Sequence, residues 1–78
     1  DATVVHPREV FREAIEVNAH SIIISHNHPS GDPVPSQKDR DITNILLKAG
    51  DILNIELVDH IVIGRGKYFS FREEGILF

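Results

Sequence analysis

His26, His28, Ser36 and Asp39 stand in one short stretch of the chain, at spacings that suit a hydrolytic metal site. The two histidines have one residue between them and close a β-branched run. In an extended backbone alternate side chains share a face, so both imidazoles can converge on one ion while Asn27 points the other way. A third ligand is then needed. Asp39 lies beyond a proline-rich loop, inside the first turn of an expected helix, where its carboxylate can fold back toward the strand end. Two imidazoles and one carboxylate leave the fourth tetrahedral position of Zn²⁺ to water, the arrangement of a catalytic rather than a structural site. Water held there ionises near neutral pH.

Each of these residues also has a plainer role. Histidines beside a loop serve as surface polar groups, and Ser36-Gln37-Lys38-Asp39 reads as a helix start with Ser36 as N-cap and Asp39 three residues on. The two readings are compatible, because a capped helix start is a rigid platform. Asp32, beside Pro33, reads as a turn residue, and Asp41 as negative charge in the first helical turn. His6, His20 and His60 have no partner at ligand spacing; the first two are expected to be exposed and His60 packed.

These side chains must be positioned by few elements. Ala2 to Val5 is a short β-prone run, and Pro7 suits the first turn of a helix expected over residues 7–18, with Val10, Phe11, Ala14 and Ile15 on one face and Asn18 as terminator. Ser21 to Ser25 reads as a strand buried on both faces. Three prolines and a glycine between Pro29 and Pro35 exclude regular structure and predict a stiff loop. The pattern Ile42, Ile45, Leu46, Ala49, Ile52, Leu53 predicts a helix over residues 36–50, with Gly50 near its end. Ile55–Ile63 and Tyr68–Arg72 read as a strand pair joined by a 64–67 hairpin loop. The fold class expected is α/β in one domain spanning residues 1–78. An interior strand needs neighbours on both sides, so the chain is expected to be part of a larger domain with strands upstream, or to pair its edges with a second copy.

Composition narrows the function classes. The 78 residues allow one small domain, and 41% hydrophobic with 26% charged residues is an ordinary soluble balance. No long apolar run or leader pattern is present, so no membrane association and a cytoplasmic location are expected. There is no cysteine, which excludes thiolate metal sites. A net charge of −4 argues against direct nucleic-acid binding, Arg65, Lys67 and Arg72 being the nearest thing to a basic group.

The wording of the central stretch carries a resemblance. His26-x-His28, seven residues, Ser36, two residues, Asp39 matches the JAMM motif of JAB/MPN-type metalloproteases, and the loop reads His-Asn-His-Pro-Ser-Gly-Asp-Pro-x-Pro-Ser. With Pro7-Arg8-Glu9-Val10-Phe11 before it and Asp59-His60-Ile61 after it, the whole chain resembles the RadC family. The resemblance implies a mixed sheet packed with helices, a JAB/MPN fold similar to that of cytidine deaminases. It implies one zinc held by His26, His28, Asp39 and a water, with Ser36 stabilising the oxyanion formed during hydrolysis of a peptide or isopeptide bond in a protein substrate. The family's general base is a glutamate on a strand upstream of the first helix, expected to lie outside this chain. Glu9, Glu13 and Glu16 follow that position and are not assigned the role. A second reading makes the chain a DNA repair or recombination module with a structural or vestigial metal site, its DNA contacts made by regions outside these residues. HNH nucleases and zinc deaminases are poorer matches, the latter needing cysteine ligands.

Overall fold

Pro7 supplies the fixed φ that starts a helix, and a computed structural model, which describes residues 6–77, opens α1 (Pro7–Glu16) there. Phe11 and Ala14 are its buried residues, whereas Ile15 stays 54% exposed. The helix ends two residues before the expected boundary, because Asn18 adopts a left-handed φ of 57° and the Ala19 N–H reaches back to the Ala14 carbonyl at 2.9 Å. The strand expected at Ala2–Val5 lies outside the described residues.

The next strand, β1 (Ser21–Asn27), runs two residues beyond the expected span and takes in His26. It pairs in parallel with β2 (Glu56–Ile63), which pairs antiparallel with β3 (Tyr68–Ser70) in the order β1-β2-β3. The connection from β1 to β2 crosses over through α2 (Gln37–Leu53). The expectation that the first of these strands is buried on both faces is corrected. Ile22, Ile24 and His26 face the helices and are half-buried, while Ser21, Ile23, Ser25 and Asn27 are exposed. The core covers one face of the sheet, and β1 is an edge strand among the described residues.

Helix α2 outlasts its expected end by three residues. Gly50 sits inside it, because a Cβ there would lie 2.3 Å from the Ile55 carbonyl oxygen; the glycine marks a close approach, and Asn54 at φ 61° makes the stop. Leu46 is the fully buried residue of the apolar pattern, with Ile42 and Ala49 packed at its side and Ile45 and Ile52 exposed. Strand β3 stops at Ser70; Phe71 N–H still donates to the His60 carbonyl at 3.1 Å, but from there the expected pairing gives way to a turn closed by Glu74 N–H to Ser70 O at 3.1 Å. Phe71 then drops into the core.

That core joins Phe11, Ala14, Leu46, Ile55, Leu57, Val62, Phe71 and Leu77. Each fully buried large side chain, Leu46, Val62 and Phe71 among them, contributes about 2 kcal/mol. A bulge sets the phase of β2. Ile22 pairs with Leu57 but Ile23 with Asp59, so Val58 is the extra residue and both Leu57 and His60 turn toward the core. None of the described helices is long and apolar enough to cross a membrane.

Candidate metal centre

The site forms where the C-terminal end of β1 meets the N-terminus of α2. His26 shares the inward face of β1 with Ile22 and Ile24, and His28 follows just past the strand, its N–H donating to the Ile63 carbonyl at 2.9 Å. The loop from Pro29 to Pro35 returns the chain to the same place. It is held by a turn from His28 O to Gly31 N–H at 2.9 Å, by Val34 N–H to Asp32 Oδ1 at 3.1 Å, and by Arg65 N–H to Gly31 O at 2.8 Å. Pro33 and Pro35 are buried, so the stiffness expected from the prolines is reinforced by packing.

Ser36 then caps α2. Its hydroxyl oxygen accepts from Asp39 N–H at 3.2 Å, and its own N–H donates to Asp39 Oδ2 at 2.8 Å, a reciprocal capping box. That box fixes the Asp39 carboxylate above the two imidazoles. His26 Nε2 lies 3.1 Å from Asp39 Oδ1, and His28 Nε2 lies 2.9 Å from Asp39 Oδ2. Ligand atoms of His26, His28 and Asp39 all fall within 4.8 Å of one another. The three side chains are 14–19% exposed, open enough for a fourth ligand to enter. Ser36 borders this cluster through its cap rather than joining it.

The proton inventory tests whether this set suits a cation. His28 Nδ1 lies 2.9 Å from the Asp32 carbonyl oxygen, which can only accept, so Nδ1 carries a proton. In the neutral imidazole Nε2 is then a bare lone pair facing a carboxylate oxygen. Such contacts are repulsive unless each imidazole takes up a second proton or a cation bridges the three groups. Two neutral nitrogens and one carboxylate match the preference of Zn²⁺, and the absence of sulfur leaves no softer alternative among the neighbours. Burial pushes the Asp39 carboxyl up, but the Ser36 N–H, the Ser36 side chain, the electrostatic attraction of the neighbouring His26 and the contact with His28 together hold it below its ordinary value of 3.8. It is ready to coordinate at neutral pH.

Asn27 is exposed on the opposite face, and Asp32 makes the expected turn, while its carbonyl has the further task of orienting His28. Asp41 bonds Gln37 at 2.9 Å on the exposed side of α2. His6 and His20 are exposed. Glu9, Glu13 and Glu16 do not belong to the cluster. His60 is fully buried, yet it does more than pack: its Nε2 lies 3.0 Å from His26 Nδ1 and its Nδ1 lies 2.6 Å from Thr43 Oγ1. Spacing could not associate His60 with His26, because they are 34 residues apart. Thr43 was within reach of the sequence, being four residues after Asp39 and so on the same helical face.

Over residues 1–76 the chain matches the family model described as a RadC-like JAB domain. It is 58% identical over 76 residues to a UPF0758 protein of Symbiobacterium thermophilum, a match covering 97% of this chain and 32% of that protein. A UPF0758 protein of Thermotoga maritima is 58% identical over 77 residues, covering 99% of this chain and 35% of its own length. One from Clostridioides difficile is 55% identical over 76 residues, covering 97% and 32%. The chain thus spans about a third of the length of these relatives.

Proposed function

The chain belongs to the RadC-like JAB domain family, and from that premise we propose that it is the zinc-holding part of a metallopeptidase-type hydrolase acting on a peptide or isopeptide bond. One observation carries the reading: ligand atoms of His26, His28 and Asp39 converge, and with the outward proton of His28 committed to a carbonyl its Nε2 faces the carboxylate as a nitrogen that a cation between them would satisfy. Zinc bound by these three residues supplies Lewis acidity, polarising a carbonyl and lowering the pKa of water. The remaining work belongs to the chain. The loop and the capping box hold the ligands before any substrate arrives, so no reorganisation is needed at the moment of reaction. Ser36 accepts from Asp39 N–H through its oxygen, which leaves its hydroxyl proton for a substrate carbonyl oxygen at the mouth of the site.

The described cluster of His26, His28 and Asp39 contains no general base; the expectation from the family resemblance is a glutamate on a strand before the first helix. The proposed activity is therefore one to be sought in a full-length relative. The test is cleavage of peptide and isopeptide substrates by a full-length relative carrying these residues. Turnover that is lost with a chelator, restored by zinc and abolished by His26→Ala or Asp39→Ala supports the proposal. Cleavage that survives both substitutions contradicts it.

A further inference from the structure

We propose that His60 and Thr43 are positioning residues of the metal centre, which fix His26 in the tautomer that presents Nε2 to the ion. The inference rests on the metal-binding reading above and extends it to residues outside the ligand set.

The two ligand histidines are held in different ways. His28 gives its Nδ1 proton to a backbone carbonyl, that of Asp32, whereas His26 Nδ1 meets the ring of another histidine. Histidine can donate or accept, so His26 is oriented only if something fixes the protons of His60. Thr43 does so. Its hydroxyl lies 2.7 Å from the Asp39 carbonyl oxygen, which can only accept, so the single hydroxyl proton is spent there. Toward His60 the Thr43 oxygen must therefore accept, and the proton between them, across 2.6 Å, sits on His60 Nδ1. In neutral His60 the Nε2 is then bare and accepts from His26 Nδ1–H at 3.0 Å. The remaining nitrogen of His26, Nε2, carries a lone pair and lies 3.1 Å from Asp39 Oδ1.

The relay closes on itself. It starts at the main-chain carbonyl of Asp39 and returns, through Thr43, His60 and His26, to the Asp39 side chain. Each donor has one acceptor, and no proton is left over.

The surroundings keep His60 in this state. Its ring is fully buried and stacks on Phe71 with centroids 4.9 Å apart and planes 4° from parallel, which removes the freedom to flip. Full burial disfavours a charge on the ring. Asp59, which packs on the opposite side of β2, spends its carboxylate on the His60 N–H at 2.7 Å, Arg72 N–H at 3.0 Å and Ser70 Oγ, and so braces the strand without reaching the imidazole. Outer-shell partners that orient metal-bound histidines are commonly carboxylates or carbonyls. A neutral histidine here orients His26 without adding a second negative charge beside Asp39.

The test uses the full chain with zinc as the probe, reading affinity by chelator competition and imidazole tautomers by ¹⁵N NMR. In the zinc-loaded parent, His26 should carry its proton on Nδ1 and coordinate through Nε2. His60→Leu and Thr43→Val should weaken zinc binding 10- to 100-fold, the range typical of lost outer-shell partners, and broaden or shift the His26 tautomer signals. Thr43→Ser, which restores the hydroxyl, should return affinity to within about 3-fold of the parent. This pair decides the matter even where His60→Leu folds poorly, since Thr43→Val removes no volume. Parent zinc binding with His60→Leu and Thr43→Val unaffected, or His26 coordinating through Nδ1, would overturn this inference alone. A parent that binds no zinc would overturn the metal reading together with it.

Discussion

Asp39 does two jobs with one rotamer. As the third residue of α2 it closes the capping box with Ser36, and in that position its carboxylate faces both His26 and His28. The capping signature and the ligand spacing were both legible in the sequence because both depend on local chain geometry. What was not legible was His60, whose partner is fixed by strand register rather than by spacing. Substituting Ser36 separates the two jobs. Ser36→Ala should cost about 1 kcal/mol of stability as a lost cap, while the Ser36 N–H still holds Asp39 Oδ2. Zinc stoichiometry should therefore persist, and turnover of a full-length relative should fall by about 10²–10³ for the lost hydroxyl donor. Thermal denaturation, zinc competition and peptide cleavage check the three parts; loss of zinc binding in Ser36→Ala would contradict this division.

At the scale of elements, the site depends on a loop pressed against a hairpin. Gly64 opens the β2–β3 turn, and a Cβ there would lie 2.3 Å from the Gly31 carbonyl oxygen and 2.8 Å from Pro33 Cδ. Gly64→Ala must push the Pro29–Pro35 loop away, and with it the Asp32 carbonyl that orients His28. Overpacking of this kind costs about 1–3 kcal/mol. The variant should melt earlier than the parent and hold zinc at least 10-fold more weakly, both readable in one chelator titration followed by a thermal scan. Helix positions and the hairpin followed from periodicity and turn residues. The half-exposed face of β1 did not, because the run Ile22-Ile23-Ile24 is apolar on both faces although the core covers only one. The Val58 bulge was equally hidden: strict alternation sets His60 on the face opposite Leu57, and the extra residue brings them together.

At the scale of the whole molecule, buried His60 couples folding to protons, and the proposed metal site would couple it to zinc. Without zinc, His60 is neutral in the folded state down to about pH 4, whereas in the unfolded chain it titrates near 6.5. Between those values the unfolded state binds a proton that the folded state refuses, so stability falls as pH drops from 6.5 to 4, by up to ~3 kcal/mol. Asp39, with its depressed pKa, contributes stability that is present above 3.8 and lost as pH falls through its folded value. Denaturant melts of the metal-free chain should show the first loss, and His60→Gln should flatten it. Zinc held at the proposed site should act in the opposite direction. At a free concentration 100-fold above its Kd it should add about 2.7 kcal/mol of stability, lost on addition of chelator.

Whether His26, His28 and Asp39 hold a single zinc ion is read from metal content. Reconstituted, desalted protein is assayed for zinc by mass spectrometry at neutral pH beside His26→Ala and Asp39→Ala. One zinc per chain is expected in the parent and none in either variant. A parent without stoichiometric zinc, or variants that keep it, would rule out zinc binding by these three residues.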